Sequence, residues 1–101
     1  MKMLIQFDVD ADIIEVPAFV VENREVLRSR FWKWLSNKSV KHRYWRTFTD
    51  RYGKKFTGLQ YRADAFVEWL NKKVLQDSEE KAVLLEQYVW DESQELPSIF
   101  F

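Results

Sequence analysis

Three groups of residues in this chain have types and spacings that suit chemistry. Asp8, Asp10 and Asp12 stand at i, i+2 and i+4, which on a strand turns three carboxylates to one side. The same spacing opens an EF-hand loop, which needs Gly at its sixth position and Glu at its twelfth. Here those positions hold Ile13 and Phe19, so that motif fails. A hard cation wants several oxygens, and only these three cluster. They are read as a solvated strand end and turn, and no metal is assigned to them.

The second group centres on His42, the sole histidine, whose imidazole suits general-base work near neutrality. The chain has no Cys, which removes disulfides, a thiolate nucleophile and Cys-ligated zinc. One histidine cannot build a multi-histidine metal site. Ser36 or Ser39 would have to act as nucleophile, and neither sits in a glycine-flanked elbow. Gly53 and Gly58 bracket a short segment without the spacing of a phosphate-binding loop. The expectation is a protein that binds rather than catalyses, with no catalytic residues and no cofactor.

The third group is the stretch "KHRYWRTFTDRYGKK", residues 41–55. It holds six Lys or Arg, four aromatics and the histidine. A basic track with rings interleaved is how sequence-tolerant single-strand binders work: cations follow phosphates and rings stack on bases. The candidates are Lys41, Arg43, Trp45, Arg46, Arg51, Lys54 and Lys55. Taken as strand, this run would place Lys41, Arg43 and Trp45 on one face and His42, Tyr44 and Arg46 on the other. The competing reading makes Phe48 and Phe56 a cross-strand pair packed on a helix, with the cations guarding a sheet edge.

The elements that must position these groups follow from periodicity. "MLIQFDV", residues 3–9, reads as a strand, and "DAD" at 10–12 as a turn. From Pro17 to Ser36 a 3.6 period runs through Val20, Leu27, Phe31, Trp34 and Leu35, with Trp32 at its flank. Residues 43–49 and 55–61 read as strands joined by "DRYG", whose Asp and Gly fit a type I turn. A second helix is expected over 63–75, with Phe66, Trp69, Leu70 and Val74 on one face. Residues 77–90 carry two signals, a capping box in Asp77 and Glu80 that opens a helix and a run of strand formers, and 82–90 are read as a strand with helix as the alternative. The resulting order is βαββαβ. It predicts one α+β domain over residues 1–101, a ferredoxin-like four-stranded antiparallel sheet with two helices on one face.

The pattern "VPAFV…FWKWL…YRADAFVEWLN…LPSIFF" covers most of the chain and resembles short uncharacterised proteins of Gram-positive bacteria and their mobile elements. That resemblance implies a prokaryotic or phage origin and no particular function.

Net charge is zero, but the charges are blocked. Residues 24–62 carry twelve Lys or Arg against Glu25 and Asp50, while acids dominate on either side. Such asymmetry concerns fields and partners rather than fold. No stretch approaches the roughly 20 apolar residues that cross a bilayer, and the start lacks a signal-peptide core, so a soluble cytoplasmic protein without a membrane partner is expected. The apolar end, "LPSIFF", is expected to dock within the chain or into a second copy. The expected function is therefore a small protein-interaction or regulatory module, possible as a homodimer, contacting its partner through Trp32, Ile99, Phe100 and Phe101. Single-stranded nucleic-acid binding through residues 41–55 is the alternative.

Overall fold

The computed structural model describes residues 1–90 and 95–101. Strands β1 (Lys2–Gln6) and β2 (Ala11–Glu15) form an antiparallel hairpin in which Gln6 faces Ala11. The Phe7 N–H donates to the Asp10 carbonyl at 2.8 Å and closes the loop around Asp8 and Val9. The turn therefore precedes Ala11, and the residues expected to be a turn begin the second strand. Helices α1 (Ala18–Glu22) and α2 (Arg24–Leu35) follow, then β3 (Trp45–Thr49) and β4 (Lys55–Leu59). Helix α3 (Ala63–Trp69) continues as a π-helical turn over Leu70–Val74, and β5 (Val83–Val89) and β6 (Ser98–Phe100) complete the chain.

The α+β class holds, but the ferredoxin-like arrangement does not. The main sheet has strand order β5-β2-β1-β6, with β6 parallel to β1 and the other pairs antiparallel. Among the described residues β3 and β4 pair only with each other, as a separate two-stranded sheet. Two short strands, at 11–15 and 98–100, fill the places that this hairpin was expected to take.

The central strands are buried on both faces. Met3, Ile5 and Ile14 join the main core with Val20, Leu27, Phe31 and Leu35 from the first two helices and with Phe66, Trp69 and Leu70. Leu4, Ala11 and Ile13 point the other way, under Val89 and Leu96. Burying each such aliphatic side chain stabilises the fold by about 1.5–3 kcal/mol. The helical stripe read from the sequence is the buried one, with Trp34 at its half-exposed margin. The helix itself is broken at Asn23, whose Nδ2 donates to the Phe19 carbonyl at 2.7 Å. The Asn23 side chain and backbone N–H thus share one carbonyl at the break, a local bond that Asn makes readily and that favours interruption of a helix.

The apolar end docks within the chain. Ile99 lies opposite Ile5 in the parallel pair and is buried. The Phe101 ring stacks on Phe31 at 5.3 Å and meets Phe66 edge-on at 5.2 Å. On the outer edge of β6, Arg24 Nε donates to the Ser98 carbonyl at 3.2 Å and Arg28 Nε to that of Phe100. These arginines give the carbonyls of an edge strand partners from α2.

Candidate nucleic-acid interface

Two carboxylates of the first group, Asp10 and Asp12, are spent inside the fold, while Asp8 is exposed in the β1–β2 loop. Arg62 places Nη2 at 2.6 Å from Asp12 Oδ1 and 2.8 Å from Asp10 Oδ1, with Nε 3.3 Å from both Asp12 oxygens. Asp12 also accepts the N–H groups of Ala63, at 3.1 Å, and Tyr88, at 3.2 Å. The guanidinium lies between the rings of Phe7 and Tyr88, 4.4 and 4.1 Å from their centroids. Burial opposes the charge on Arg62, but its bonds to Asp12 and Asp10 outweigh that and raise its pKa. Asp12 is thus fully buried in mid-strand, not part of a solvated turn. Register shifts between β2 and β5 flank it, and Tyr88 takes φ +60°, a left-handed conformation uncommon outside Gly and Asn. The bulged backbone turns the Tyr88 N–H toward the carboxylate. Removing one partner from a buried charge pair costs about 3–5 kcal/mol, so this cluster locks the fold.

His42 is also engaged. A carbonyl can only accept and an amide N–H can only donate. Nε2, 2.8 Å from the Leu35 carbonyl, therefore carries the proton, and Nδ1 accepts from the Tyr44 N–H at 3.2 Å. The imidazole sits between two indoles, 4.8 Å from Trp34 and 5.3 Å from Trp45, nearly parallel to the latter. Ser36 Oγ donates to the Trp32 carbonyl at 2.7 Å. This stack roots the β3–β4 hairpin in α2. It also corrects the expected alternation: residues 41–44 are not strand, so His42 and Trp45 share a side rather than opposing each other.

A second tie joins the root to α3. The buried Tyr44 hydroxyl donates to Glu68 Oε2, and Glu68 also meets Lys72 Nζ at 2.9 Å and Arg43 Nη2 at 3.5 Å. Burial and the bond to Glu68 push the Tyr44 pKa up to about 12. Burial alone would raise the Glu68 carboxyl, but the donors Tyr44 and Lys72 and the Arg43 charge hold it below its ordinary value.

Beyond this root the hairpin is an arm. Its turn forms as read: the Gly53 N–H donates to the Asp50 carbonyl at 3.0 Å, and Asp50 Oδ1 accepts from Tyr52 and Lys54 at 2.9 Å each. Gly53 takes φ +80°, the left-handed residue that closes a three-residue hairpin loop. Phe48 and Phe56 oppose each other with centroids 5.5 Å apart, as expected. They belong to neither core cluster, however, and Phe56 is 53% exposed. Gly58 lies beside them on the same face, where an added Cβ would stand 3.2 Å from Phe48 Cε2. The absent side chain leaves room for that ring to lie flat.

Arg46 shares the face of the Phe pair, and Tyr52 stands 82% exposed at the tip. Lys41, Arg46, Arg51, Lys54 and Lys55 are exposed, and none makes an ion pair among the described residues. Of the cations singled out in the sequence, only Arg43 meets an acid among the described residues, Glu68. Trp45 is tied to the root through its Nε1–H, which donates to the Val40 carbonyl at 3.0 Å. The rings available on the arm are therefore Phe48, Phe56 and Tyr52, which sequence reasoning assigned to core or passed over. One signal could have found them: paired as a hairpin, one face sets Arg46 beside Phe48 and Phe56 and the other holds Thr47, Thr49, Lys55 and Thr57, so neither is a clean apolar face.

Of the expected contact residues, Trp32 is half exposed and Phe100 exposed, while Ile99 is buried and Phe101 packs against the core. No helix among the described residues is long and apolar enough to cross a membrane. Comparison with family models, with curated proteins and with solved structures returns no match to this chain.

Proposed function

We propose that this protein binds single-stranded nucleic acid through the β3–β4 arm and acts by binding rather than by catalysis. The observation that carries the reading is the set of five exposed cations, Lys41, Arg46, Arg51, Lys54 and Lys55, without acidic partners among the described residues. The acidic blocks on either side in sequence spend Asp10, Asp12 and Glu68 on Arg62, Arg43 and Lys72 instead. Unpaired cations beside surface rings are what a flexible phosphate chain with splayed bases requires. Arg46 and the Phe48–Phe56 pair offer a charge and a stacking surface on one face.

The double variant Arg46→Glu with Lys54→Glu tests it. Neither side chain enters the core, and Arg46 gives up only surface bonds to the Arg43 and Trp45 carbonyls, so the variant stays folded. Its affinity for a labelled single strand falls by about tenfold or more and its salt slope flattens by at least about one. Unchanged affinity in the folded variant removes the arm from the site.

The β5 edge favours a second reading, self-association. Among the described residues β5 pairs only with β2, and Val83, Leu85 and Tyr88 along it and Trp90 just beyond it are exposed. An open edge lined by apolar side chains is a template for another strand. On this reading the wild-type protein sediments as a dimer and Leu85→Lys as a monomer. A wild-type monomer at the highest soluble concentration ends it.

A further inference from the structure

A groove of about 250 Å³ opens between α2 and the end of the chain, lined by Arg28, Ser29, Phe31, Trp32, Tyr61 and Phe101. Pockets for drug-sized ligands run to roughly 300–1,000 Å³, so this one suits a single ring system. Its walls are aromatic: Trp32 is 6.5 Å from Tyr61, and Tyr61 is 6.3 Å from Phe101. Half of the Trp32 surface is exposed although the ring is large and apolar.

One charged side chain, Arg28, stands in the groove lining. It uses Nε for the Phe100 carbonyl and makes no ion pair among the described residues. α2 also carries Arg24, Arg30 and Lys33 against the single acid Glu25. A ligand for this place is flat, aromatic and anionic.

Packed rings link the groove wall to the root of the arm. Tyr61 lies two residues beyond β4. A chain of ring contacts runs from Trp45 through His42 and Trp34 to Phe31 in the groove wall, each step between 4.8 and 6.1 Å.

We propose that this groove seats one base together with its phosphate, stacked on Trp32 and neutralised by Arg28. Resting on the strand-binding reading, it takes one nucleotide of the strand whose phosphates the arm holds. The same chemistry would admit a free nucleotide, and the experiment separates the two sources.

Trp32→Ala is compared with Trp32→Phe and wild type for binding of a labelled oligothymidylate. The tryptophan indole N–H signals are followed by NMR during titration with thymidine monophosphate. Losing one base–aromatic stack weakens binding by about five- to 150-fold, with the salt slope kept because no phosphate contact is lost. Trp32→Phe recovers much of the loss, which a purely structural role for the indole would not require.

Oligonucleotide binding that Trp32→Ala leaves unchanged overturns the groove and leaves the arm standing. If wild type binds no oligonucleotide, the arm reading fails and the nucleotide titration judges the groove alone. A saturable shift of the Trp32 indole then makes it a free-nucleotide site, and no shift overturns it.

Discussion

The Tyr44 hydroxyl and the Asp12 carboxylate each do one job far from their own stretch of sequence. Tyr44 reaches Glu68 on α3 and holds the root of the arm, and its pKa is pushed up to about 12 from 10.0. Between those values the unfolded chain has lost the phenolic proton while the folded chain retains it. Stability is therefore kept below about pH 10 and falls as pH rises toward 12. Urea denaturation across that window should show a shallower decline in Tyr44→Phe than in wild type. Tyr61, whose pKa burial also raises, supplies the slope that remains. Parallel curves for the two proteins contradict the assignment. None of this was legible locally. A buried Asp is rare, and the arginine that makes Asp12 tolerable is fifty residues away. Short-range spacing therefore read Asp10 and Asp12 as a turn.

Elements with strong local signals were legible, and those defined by long-range pairing were not. The stripe on α2, the apolar face of α3 and the Asp50–Gly53 turn follow from spacing and turn chemistry, and all are present. The strand at 98–100 has only three residues and no alternation. It becomes a strand because β1 offers a free edge and Phe101 finds a place among Phe31, Phe66 and Tyr61. The account makes this end part of the core. Ile99→Ala should cost about 2–5 kcal/mol in chemical denaturation, as expected for emptying a buried aliphatic site. A loss below about 0.5 kcal/mol, within the range of surface substitutions, would show that β6 is ornamental. The β3–β4 hairpin is the reverse case. Its pairing was visible in the sequence, while its separation from the main sheet depends on β2 and β6 occupying the positions around β1.

Across the whole molecule, zero net charge conceals an internal division of labour. Asp10, Asp12 and Glu68 hold elements together, while Arg46, Arg51, Lys54 and Lys55 stay in solvent on the arm and Lys41 beside its root. Sequence blocks revealed the asymmetry but not which charges would cancel, because that depends on which helix or strand lies beneath each side chain. The remaining cations are proposed to exchange counterions for phosphates. Fluorescence anisotropy of labelled single-stranded DNA and RNA, at salt from about 50 to 200 mM, tests it most directly. Neutralising three to five phosphates predicts saturable binding whose log–log slope against salt lies between about −2 and −3.5. No saturable binding at the lowest salt, or binding that salt leaves unchanged, would contradict it.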